Sequence, residues 1–517
     1  MNSRPTLDLV TDSHSLRWLF YWMLGLGLAW RTLRWALAMP LWGDEVMLAL
    51  NFLDRSGVEL VYPLAMGQVA PPMFMLLNGL LFHLLGYSEW VLRLFPLVFG
   101  IVGLLLFYRF SLSVVRPNEA LIAVATLAVS YFSVRHGSEF KPYSLDLAMA
   151  VALLSMAQYF RSHSESFLLS GGLIVIVGAA PFFSYPSIFI SVTVVIGLGV
   201  EAIAHREIRR LIIVGATGLF ALAIFAVNYK YIIAPQQESA VLLRGLWSDA
   251  FPPNGVFEFI GWFLRMSAGN MMAYPTGGKN FGSILTLGLV CVGILGLAQR
   301  KWWFLLWVLV MPLVFNLLAS IFHIYPYGKS ARIAQFLAPS ICLLTGVGFV
   351  GLLEIFKATR PNIIIRWAVV LLSIFGIAGI AEAIIKPYKS KGDLHVRVLV
   401  EDEMPRKGCL RYRVVNTPQT VPVNFRWYLA IRGDTLFGRA ALSVPTSLLE
   451  PICIWHFDPE RHPKDLTKFV AWVSKESESK SVLKDMSGVA YIYGKKQHPH
   501  TFRIVVLQSE TSVSEPM

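Results

Sequence analysis

The feature that most constrains this chain is a series of apolar runs, each about 20 residues long, that recurs up to about residue 386. A helix of that length crosses the roughly 30 Å hydrocarbon core of a bilayer. Only 44 of the first 386 residues are charged, against 33 of the last 131, and the second proportion is typical of soluble proteins. The sequence therefore predicts an α-helical polytopic membrane domain over residues 1–386 and a soluble domain over residues 387–517.

Eleven of the runs are candidate membrane helices. They lie near residues 16–38, 91–113, 118–134, 143–160, 166–183, 186–204, 209–228, 281–298, 302–321, 332–354 and 366–385. Residues 71–86 are apolar too, but this run is shorter and begins with two prolines, which favours an interfacial or re-entrant helix. Arg31 and Arg34 interrupt the approach to an Ala-Leu-Ala that resembles a cleavage site, so the first run is expected to remain as a span.

The distribution of basic residues predicts the orientation. With the N-terminus in the cytoplasm, the five inner connections carry eleven Lys or Arg and the short outer ones carry five, although the two longer outer loops nearly erase this bias. The predicted location is the inner (plasma) membrane, and eleven spans place the last 131 residues outside the cytoplasm. Short apolar segments alternate with turns and helix-like stretches there, which predicts a small α/β domain.

Charge and cysteine content exclude other classes of protein. The net charge of +13 would suggest nucleic-acid binding in a soluble protein, but here Lys and Arg beside membrane spans account for much of it. Four cysteines are too few for a disulfide scaffold. Cys409 and Cys453 both lie in the tail, and the sequence leaves open whether they pair or remain thiols.

Acidic residues gather first in the loop after the first span, which reads Trp42-Gly43-Asp44-Glu45. Charged groups are costly to place at a membrane surface and are candidates for function. A carboxylate in a half-dry cleft suits a general base that deprotonates a hydroxyl or an amine. The alternative is structural: Asp44 caps the helix that follows, with Glu45 in its first turn.

Two further outer loops combine basic and aromatic residues. One runs from Arg135 to Tyr143 and includes Glu139 and Lys141, and the other runs from His323 to Arg332. Arg binds phosphate oxygens in pairs and Lys acts as a point charge, so both loops suit an anionic headgroup. The alternative in each case is a solvated or interfacial belt without ligand. The metal-ligand set is incomplete, so the sequence requires no cofactor but leaves a divalent cation open.

The longer outer loop, about residues 229–280, has apolar turns and interfacial tryptophans. These favour a helix that lies on the membrane and gates the cleft, or equally a covering loop without ligand contacts.

The order of these motifs resembles the GT-C glycosyltransferases, in the branch of the bacterial protein-mannosyltransferase-like and aminoarabinose-transferase-like enzymes. The resemblance rests on Trp-x-Asp-Glu, on Gln-x-x-Pro-Pro at residues 68–72, and on Gly-Tyr-Ser-Glu-Trp-Val-Leu-Arg at residues 86–93. Glu-Phe-Lys-Pro-Tyr at residues 139–143 and the segment from Tyr325 to Pro339 extend it. It covers most of residues 16–355 and does not extend to residues 387–517.

The resemblance implies an inverting transfer of a sugar from a polyprenyl-phosphate carrier to a glycan, lipid or protein acceptor on the outer side of the membrane. It implies that Asp44 is the general base and that Glu45 and Glu139 complete the catalytic set. Other roles follow in the same way. The residues expected to bind the donor phosphate are Lys141, Arg332, Lys329 and Arg93, and those expected to line the substrate pocket are Gln68, Tyr143, Tyr185 and Tyr325.

The sequence departs from the family pattern at two positions, and other functions stay open. Ala70 stands where the aminoarabinose branch often has a phosphate-binding Lys, and Lys141 replaces a common Arg, which argues against paired phosphate contacts there. The main alternative is a transporter or flippase of lipid-linked sugars, although transporters tend to place ionisable groups at the bilayer midplane. A ligase that uses a lipid-linked polymer is the other alternative.

Overall fold

The computed structural model describes most of the first 403 residues and parts of the tail. The described residues are 13–163, 166–240, 245, 247–278, 281, 283–403, 406, 411–414, 424, 427–428, 431, 452–457, 480–491 and 499–509. The chain divides into two compact units, which we call the helical unit (Met1–Leu37 with Gly57–Ile385) and the second unit (Ala38–Ser56 with Lys386–Met517).

The helical unit contains most of the predicted spans as helices. Its long apolar helices are α1 (Ser13–Ala36), α5 (Glu89–Val114), α6 (Pro117–Ala128), α8 (Tyr143–Ser162), α9 (Phe167–Phe183), α10 (Ser187–Ala204), α11 (Ile208–Asn228), α14 (Ile284–Gln299), α15 (Trp303–Ile321), α16 (Ala338–Ile355) and α17 (Pro361–Ile385). Seven stretches of the described chain are long and apolar enough to cross a membrane. The protein is a helical polytopic membrane protein, and the count of eleven spans stays a prediction.

Shorter helices fill the connections. They are α2 (Gly43–Ala49) and α3 (Asn51–Asp54) in the second unit, and α4 (Pro72–Leu85), α7 (Tyr131–His136), α12 (Ala234–Ser239) and α13 (Val256–Met266) in the helical unit. Helix α4 has 14 residues and begins with Pro72 at its first position, where a proline costs no hydrogen bond. Its length matches the short helix that the sequence predicts at residues 71–86.

The predicted span at 118–134 is interrupted. Helix α6 ends at Ala128 and α7 begins at Tyr131. The backbone N–H of Tyr131 donates to the carbonyl of Pro275 at 2.9 Å, so the chain exchanges helical hydrogen bonding for a contact with the loop before α14. This break directs the residues after Tyr131 into a separate short helix, which carries the basic part of the second outer loop.

Small residues allow the central helices to approach closely. A Cβ at Gly293 in α14 would overlap the carbonyl of Leu344 in α16, and a Cβ at Gly348 would overlap the carbonyl of Leu289. Tight contacts at small residues are typical of helix association in membranes. Helix α16 is almost entirely buried from Ala338 to Gly348, which makes it the core of the helical unit.

Helix α13 presents apolar side chains outward. Val256 is 73% exposed and Phe257 is 87% exposed, whereas Trp262 on another face is buried and donates to the carbonyl of Asp249 at 2.9 Å. An apolar face of this kind fits the predicted helix on the membrane surface. Arg244 and Lys279 of the same predicted loop lie outside the described residues.

The second unit combines the loop after α1 with the tail. Its sheet has the order β1-β2-β4-β3, with strands at Arg411–Val414, Ile452–Phe457, Pro499–Ser509 and Lys480–Tyr491 in that order. Strands β1 and β2 are parallel, with Arg411 opposite Ile452, and the other two pairs are antiparallel. The location and solubility of this unit stay predictions, and Cys409 lies outside the described residues.

The second unit begins at Lys386 and also takes in residues 38–56, which the sequence analysis counted with the membrane domain. Hydrogen bonds within the second unit explain the difference. The backbone N–H of Leu41 donates to the hydroxyl of Tyr428 at 3.1 Å, and Arg397 donates to the carbonyl of Ala38. Arg397 belongs to α18 (Lys391–Val398), which directly follows the last apolar helix.

Candidate active site

A buried acid–base cluster forms at the C-terminal end of α7. Arg135 Nε donates to Glu139 Oε1 at 2.5 Å, and the other carboxylate oxygen lies 3.0 Å from His136 Nδ1. Both partners precede Glu139 by only a few residues, and the turn after α7 brings their side chains to one carboxylate. Gly137 ends the helix beside α5, where a Cβ on Gly100 would lie 3.2 Å from the Gly137 Cα.

The cluster shifts the protonation of its members. Burial alone lowers the pKa of Arg135, but the adjacent Glu139 carboxylate outweighs it and raises the pKa above its usual value. Burial lowers the pKa of His136 to about 4 despite its hydrogen bond with Glu139. The imidazole is therefore neutral at pH 7, while Arg135 stays charged.

Further cations surround Glu139. Arg34 donates to Ser138 Oγ at 3.1 Å and lies within electrostatic range of Glu139, Arg135 and Arg93. Arg93 is 2% exposed and lies one turn into α5. The positive charge of Arg332 acts on His136 from the third outer loop. Arg34 and Arg135 both interact with Glu139, and Arg93 and Arg332 interact with other members of the cluster. Basic side chains concentrated in this way suit a bound anion.

A second polar network joins Lys141 to the Gln-x-x-Pro-Pro segment. Lys141 Nζ donates to Gln68 Oε1 at 2.8 Å, and both side chains are buried. Two residues further along the chain, the N–H of Ala70 donates to Gln236 Oε1 at 3.2 Å, and its carbonyl accepts from the Tyr185 hydroxyl at 2.9 Å. Residues from three loops thus hold this segment in one conformation.

Tyr185 also donates to Gln236 Oε1, at 3.1 Å. Burial raises the pKa of the Tyr185 hydroxyl, and the hydrogen bond with Gln236 opposes this shift. The hydroxyl is protonated at neutral pH, so Tyr185 can donate its hydrogen bond to the carbonyl of Ala70.

Aromatic side chains form one wall of the same region. The rings of His136 and Tyr143 lie 5.0 Å apart, and the ring of Tyr325 lies 5.6 Å from that of Phe189. The Tyr325 hydroxyl donates to the carbonyl of Ile333 at 2.9 Å. Burial, together with the nearby Asp146 and Tyr143, raises the pKa of the Tyr325 hydroxyl above its usual value.

The two basic residues of the third loop have different surroundings. The guanidinium of Arg332 lies 5.0 Å from the ring centre of Trp247, a distance at which a cation and an aromatic face attract each other. Lys329 forms a 3.2 Å ion pair with Asp249, and the side chain of that aspartate is 75% exposed. Such surface pairs contribute little to stability, about 0–1 kcal/mol.

The first-loop carboxylates lie in the second unit and differ in burial. Trp42, not Asp44, is the N-cap residue of α2. Glu45 is fully buried, and its carboxylate accepts a hydrogen bond from the N–H of Trp42 at 3.3 Å, which closes the first turn. Asp44 is half-buried. Glu45 therefore has a structural contact, and Asp44 is the more accessible carboxylate of the two.

A third carboxylate of the second unit has no counterpart in the sequence predictions. Asp393, at the start of α18, is 1% exposed and accepts hydrogen bonds from Ser390 and Asn424. Burial raises its pKa to about 6, and the nearby charge of Glu45 adds to the shift. In the described part of the chain, no three His, Cys, Asp or Glu side chains form a group able to hold a metal ion.

Comparisons with known proteins agree with this architecture. Residues 69–231 match the family model described as dolichyl-phosphate-mannose-protein mannosyltransferase, and they include Arg135, His136 and Glu139. The apo crystal structure of ArnT from Cupriavidus metallidurans aligns with a TM-score of 0.52 at 12% identity, over 98% of this chain and 100% of that one. The chain is therefore similar to this family over residues 69–231, and it shares the fold of the apo ArnT structure.

Other structures align with this chain at lower TM-scores. ArnT from the same organism bound to undecaprenyl phosphate gives a TM-score of 0.46 at 13% identity, covering 96% of this chain and 99% of that one. An Archaeoglobus fulgidus oligosaccharyltransferase tethered to an acceptor peptide gives 0.47 at 13% identity, covering 80% of this chain and 63% of that one. No curated protein sequence matches the chain significantly.

Sequence reasoning missed several residues of this candidate site. Gln236 is fully buried and binds both Ala70 and Tyr185, yet its sequence context, a polar stretch in a long loop, gives no signal of this role. Arg34 was assigned only to a span, although its position at the outer end of α1 places it beside Glu139. A charged residue in the last turn of an apolar helix is a signal that could have identified it.

Proposed function

We propose that this chain is an inverting membrane glycosyltransferase of the GT-C type that takes a sugar from a polyprenyl-phosphate donor and transfers it to an acceptor outside the cytoplasm. The N-terminus lies in the cytoplasm and the second unit outside it. The observation that carries the proposal is the concentration of arginines near the buried Glu139 carboxylate at one end of a helical membrane unit with this fold.

In such a transfer, negative charge develops on the phosphate of the donor. The bond between the sugar and the phosphate oxygen breaks, and the polyprenyl phosphate leaves with an added negative charge. Arginine and lysine side chains in a poorly solvated site stabilise that charge more strongly than water-exposed ones do. In this proposal Arg332, Arg93 and Lys141 bind the donor phosphate, and Glu139 holds Arg135 in place.

The acceptor must lose a proton as it attacks the sugar. We assign this step to Asp44, because it is half-buried and Glu45 beside it already accepts a backbone hydrogen bond. A carboxylate positioned as a general base accelerates such a step by roughly 10²–10⁴-fold. Glu45 is assigned to hold the first turn of α2, and its direct participation in catalysis stays a prediction.

The donor is a polyprenyl-phosphate-linked sugar, and a mannose-type donor is the first to test. The description of the matching family names a dolichyl-phosphate-mannose donor and a protein acceptor, which supports this choice. The backbone of Ala70, where a Lys would characterise the aminoarabinose branch, is bound on both sides by Gln236 and Tyr185. This argues against an aminoarabinose donor.

The experiment is a transfer assay with the full chain reconstituted into liposomes. Radiolabelled polyprenyl-phosphate sugars are supplied one at a time with protein, lipid and glycan acceptors, and product is separated from donor. Saturable transfer from at least one donor, lost in Asp44→Asn, is the expected result.

Transport is the alternative function, and the same vesicles test it. Movement of lipid-linked sugar across the bilayer without transfer to any acceptor would replace the enzymatic proposal by a flippase. Donor lipid that co-purifies with the chain, identified by mass spectrometry, selects the sugar for the assay.

A further inference from the structure

A large cavity opens at the end of the helical unit opposite the Glu139 cluster. Its volume is about 2100 Å³, which exceeds the roughly 300–1,000 Å³ of pockets for small molecules. Its walls are the N-terminal ends of α1, α11, α15 and α17 and the C-terminal ends of α5, α8, α10 and α16. The Glu139 cluster lies at the other end of α8, before its first residue. The positive-inside distribution predicts that the cavity faces the cytoplasm.

The lining of the cavity changes in character along the helices. Apolar residues such as Leu19, Phe20 and Val350 line it one to two turns inside the bundle, and charged residues line it at the helix ends. A cavity that is apolar towards the bilayer centre and charged towards its surface has the polarity of a lipid molecule. A soluble metabolite would not use the apolar part.

The charge at the cavity mouth is positive. Seven Arg or Lys residues and three Glu residues line it. The glutamates are bound by arginines of the wall: Glu201 accepts from Arg161 and Arg210, and Glu354 accepts from Arg116. The structure shows no ion pair for Arg17, Lys301 or Lys357 within the residues it describes, and all three are exposed.

We propose that this cavity binds an anionic phospholipid of the inner leaflet, with its phosphate on Arg17, Lys301 and Lys357 and its acyl chains along α1 and α16. Basic pockets between membrane helices on the cytoplasmic side hold anionic headgroups through such contacts. The lipid fills a gap between helix ends that otherwise lack packing partners, so it stabilises the helical unit. The binding is separate from sugar transfer and does not depend on the proposed function.

The test compares lipid retention by the full chain in nanodiscs of dioleoyl-phosphatidylglycerol or dioleoyl-phosphatidylcholine, measured by native mass spectrometry after release. We expect phosphatidylglycerol to be retained at least 10-fold more strongly. The triple variant Arg17→Gln, Lys301→Gln, Lys357→Gln should lose this preference, since each basic contact contributes a factor of roughly five. The control Arg109→Gln, Arg206→Gln, Arg360→Gln removes the same charge at the same end of the bundle from residues that do not line the cavity.

A second variant addresses the apolar part. Leu19→Trp fills the cavity while the basic residues remain, so it should reduce retention of phosphatidylglycerol and leave the helical content unchanged. Equal retention of the two lipids by the wild-type chain would overturn the proposal, and so would an equal loss in the control variant. If the triple variant cannot be purified, the proposal is tested by Leu19→Trp and by the retention of the two lipids in the wild-type chain.

Discussion

Lys141 Nζ donates a 2.8 Å hydrogen bond to Gln68 Oε1, and this buried contact joins two loops that are 73 residues apart in the chain. Hydrogen bonds that involve a charged group contribute more than neutral ones, roughly 1.5–3 kcal/mol. The contact makes the position of the cation depend on the Gln-x-x-Pro-Pro segment, so the two residues should act as a pair in donor binding.

A double-mutant cycle tests this coupling. We expect Lys141→Gln to weaken donor use, as kcat/KM, by roughly 10- to 100-fold. Gln68→Ala should lower it less, and the double variant should lose less than the product of the two single effects. Lys230→Gln, at an exposed lysine of the long outer loop, is the charge-matched control and should leave kcat/KM unchanged. Strictly multiplicative effects of the two substitutions would show that the pair is not coupled.

The assignment of the base predicts a selective loss of activity. Asp44→Asn keeps the size and polarity of the side chain but removes its basicity, so transfer should fall by roughly 10²–10⁴-fold while thermal stability stays close to wild type. Glu59→Gln neutralises an exposed carboxylate of the helical unit and is the control. Normal transfer by the reconstituted Asp44→Asn variant would show that Asp44 is not the general base.

The Arg135–Glu139 pair predicts a stability effect that depends on burial. Glu139→Gln leaves the guanidinium of Arg135, which is only 17% exposed, without its carboxylate, which should reduce the free energy of unfolding by about 3–5 kcal/mol. Glu354→Gln breaks the exposed pair with Arg116, where we expect about 0–1 kcal/mol. Thermal unfolding in detergent measures the loss of stability in both variants. Equal losses would show that burial does not determine how much each ion pair contributes.

The low pKa of His136 predicts how stability depends on pH. The unfolded chain binds a proton at this residue below about pH 6.5, whereas the folded chain binds it only below about pH 4. Stability should therefore fall as the pH decreases from 6.5 to 4, by up to roughly 3 kcal/mol from this group. In His136→Gln this part of the pH dependence should disappear.

The control for this titration is His83→Gln, which makes the same substitution at an exposed histidine of α4. It should leave the pH dependence of the melting temperature unchanged between pH 4 and 6.5. A His136→Gln variant with the wild-type pH dependence would mean that other groups account for the loss of stability in acid.

The positions of the helices were largely predictable from the sequence. An apolar run of about 20 residues can satisfy its backbone hydrogen bonds inside a membrane only as a helix, so composition alone locates α5, α8 and α10 to within a few residues. Where a run was broken, as between α6 and α7, the reason was a hydrogen bond from Tyr131 to Pro275, which joins segments too distant for a local pattern to relate.

The candidate site was predictable only in part. One motif stands out because charged residues are rare before residue 387, namely Arg135, Glu139 and Lys141. The rarity of charge does not show whether such a residue forms an ion pair within the protein or binds a ligand. Lys329 is an example, since the structure pairs it with exposed Asp249. The partners that position Ala70, namely Gln236 and Tyr185, come from other loops and give no local signal.

By itself, the sequence determined that this is a helical membrane protein with its unusual charges on the predicted outer loops, because desolvation forbids charge in lipid unless it is compensated. Only the tertiary structure decided which charges neighbour one another: that Arg34 lies beside Glu139, that Lys141 is bound to Gln68, and that Ala38–Ser56 packs with the tail. Such contacts depend on how separate helices pack, and packing is set by the shapes of all the helices together.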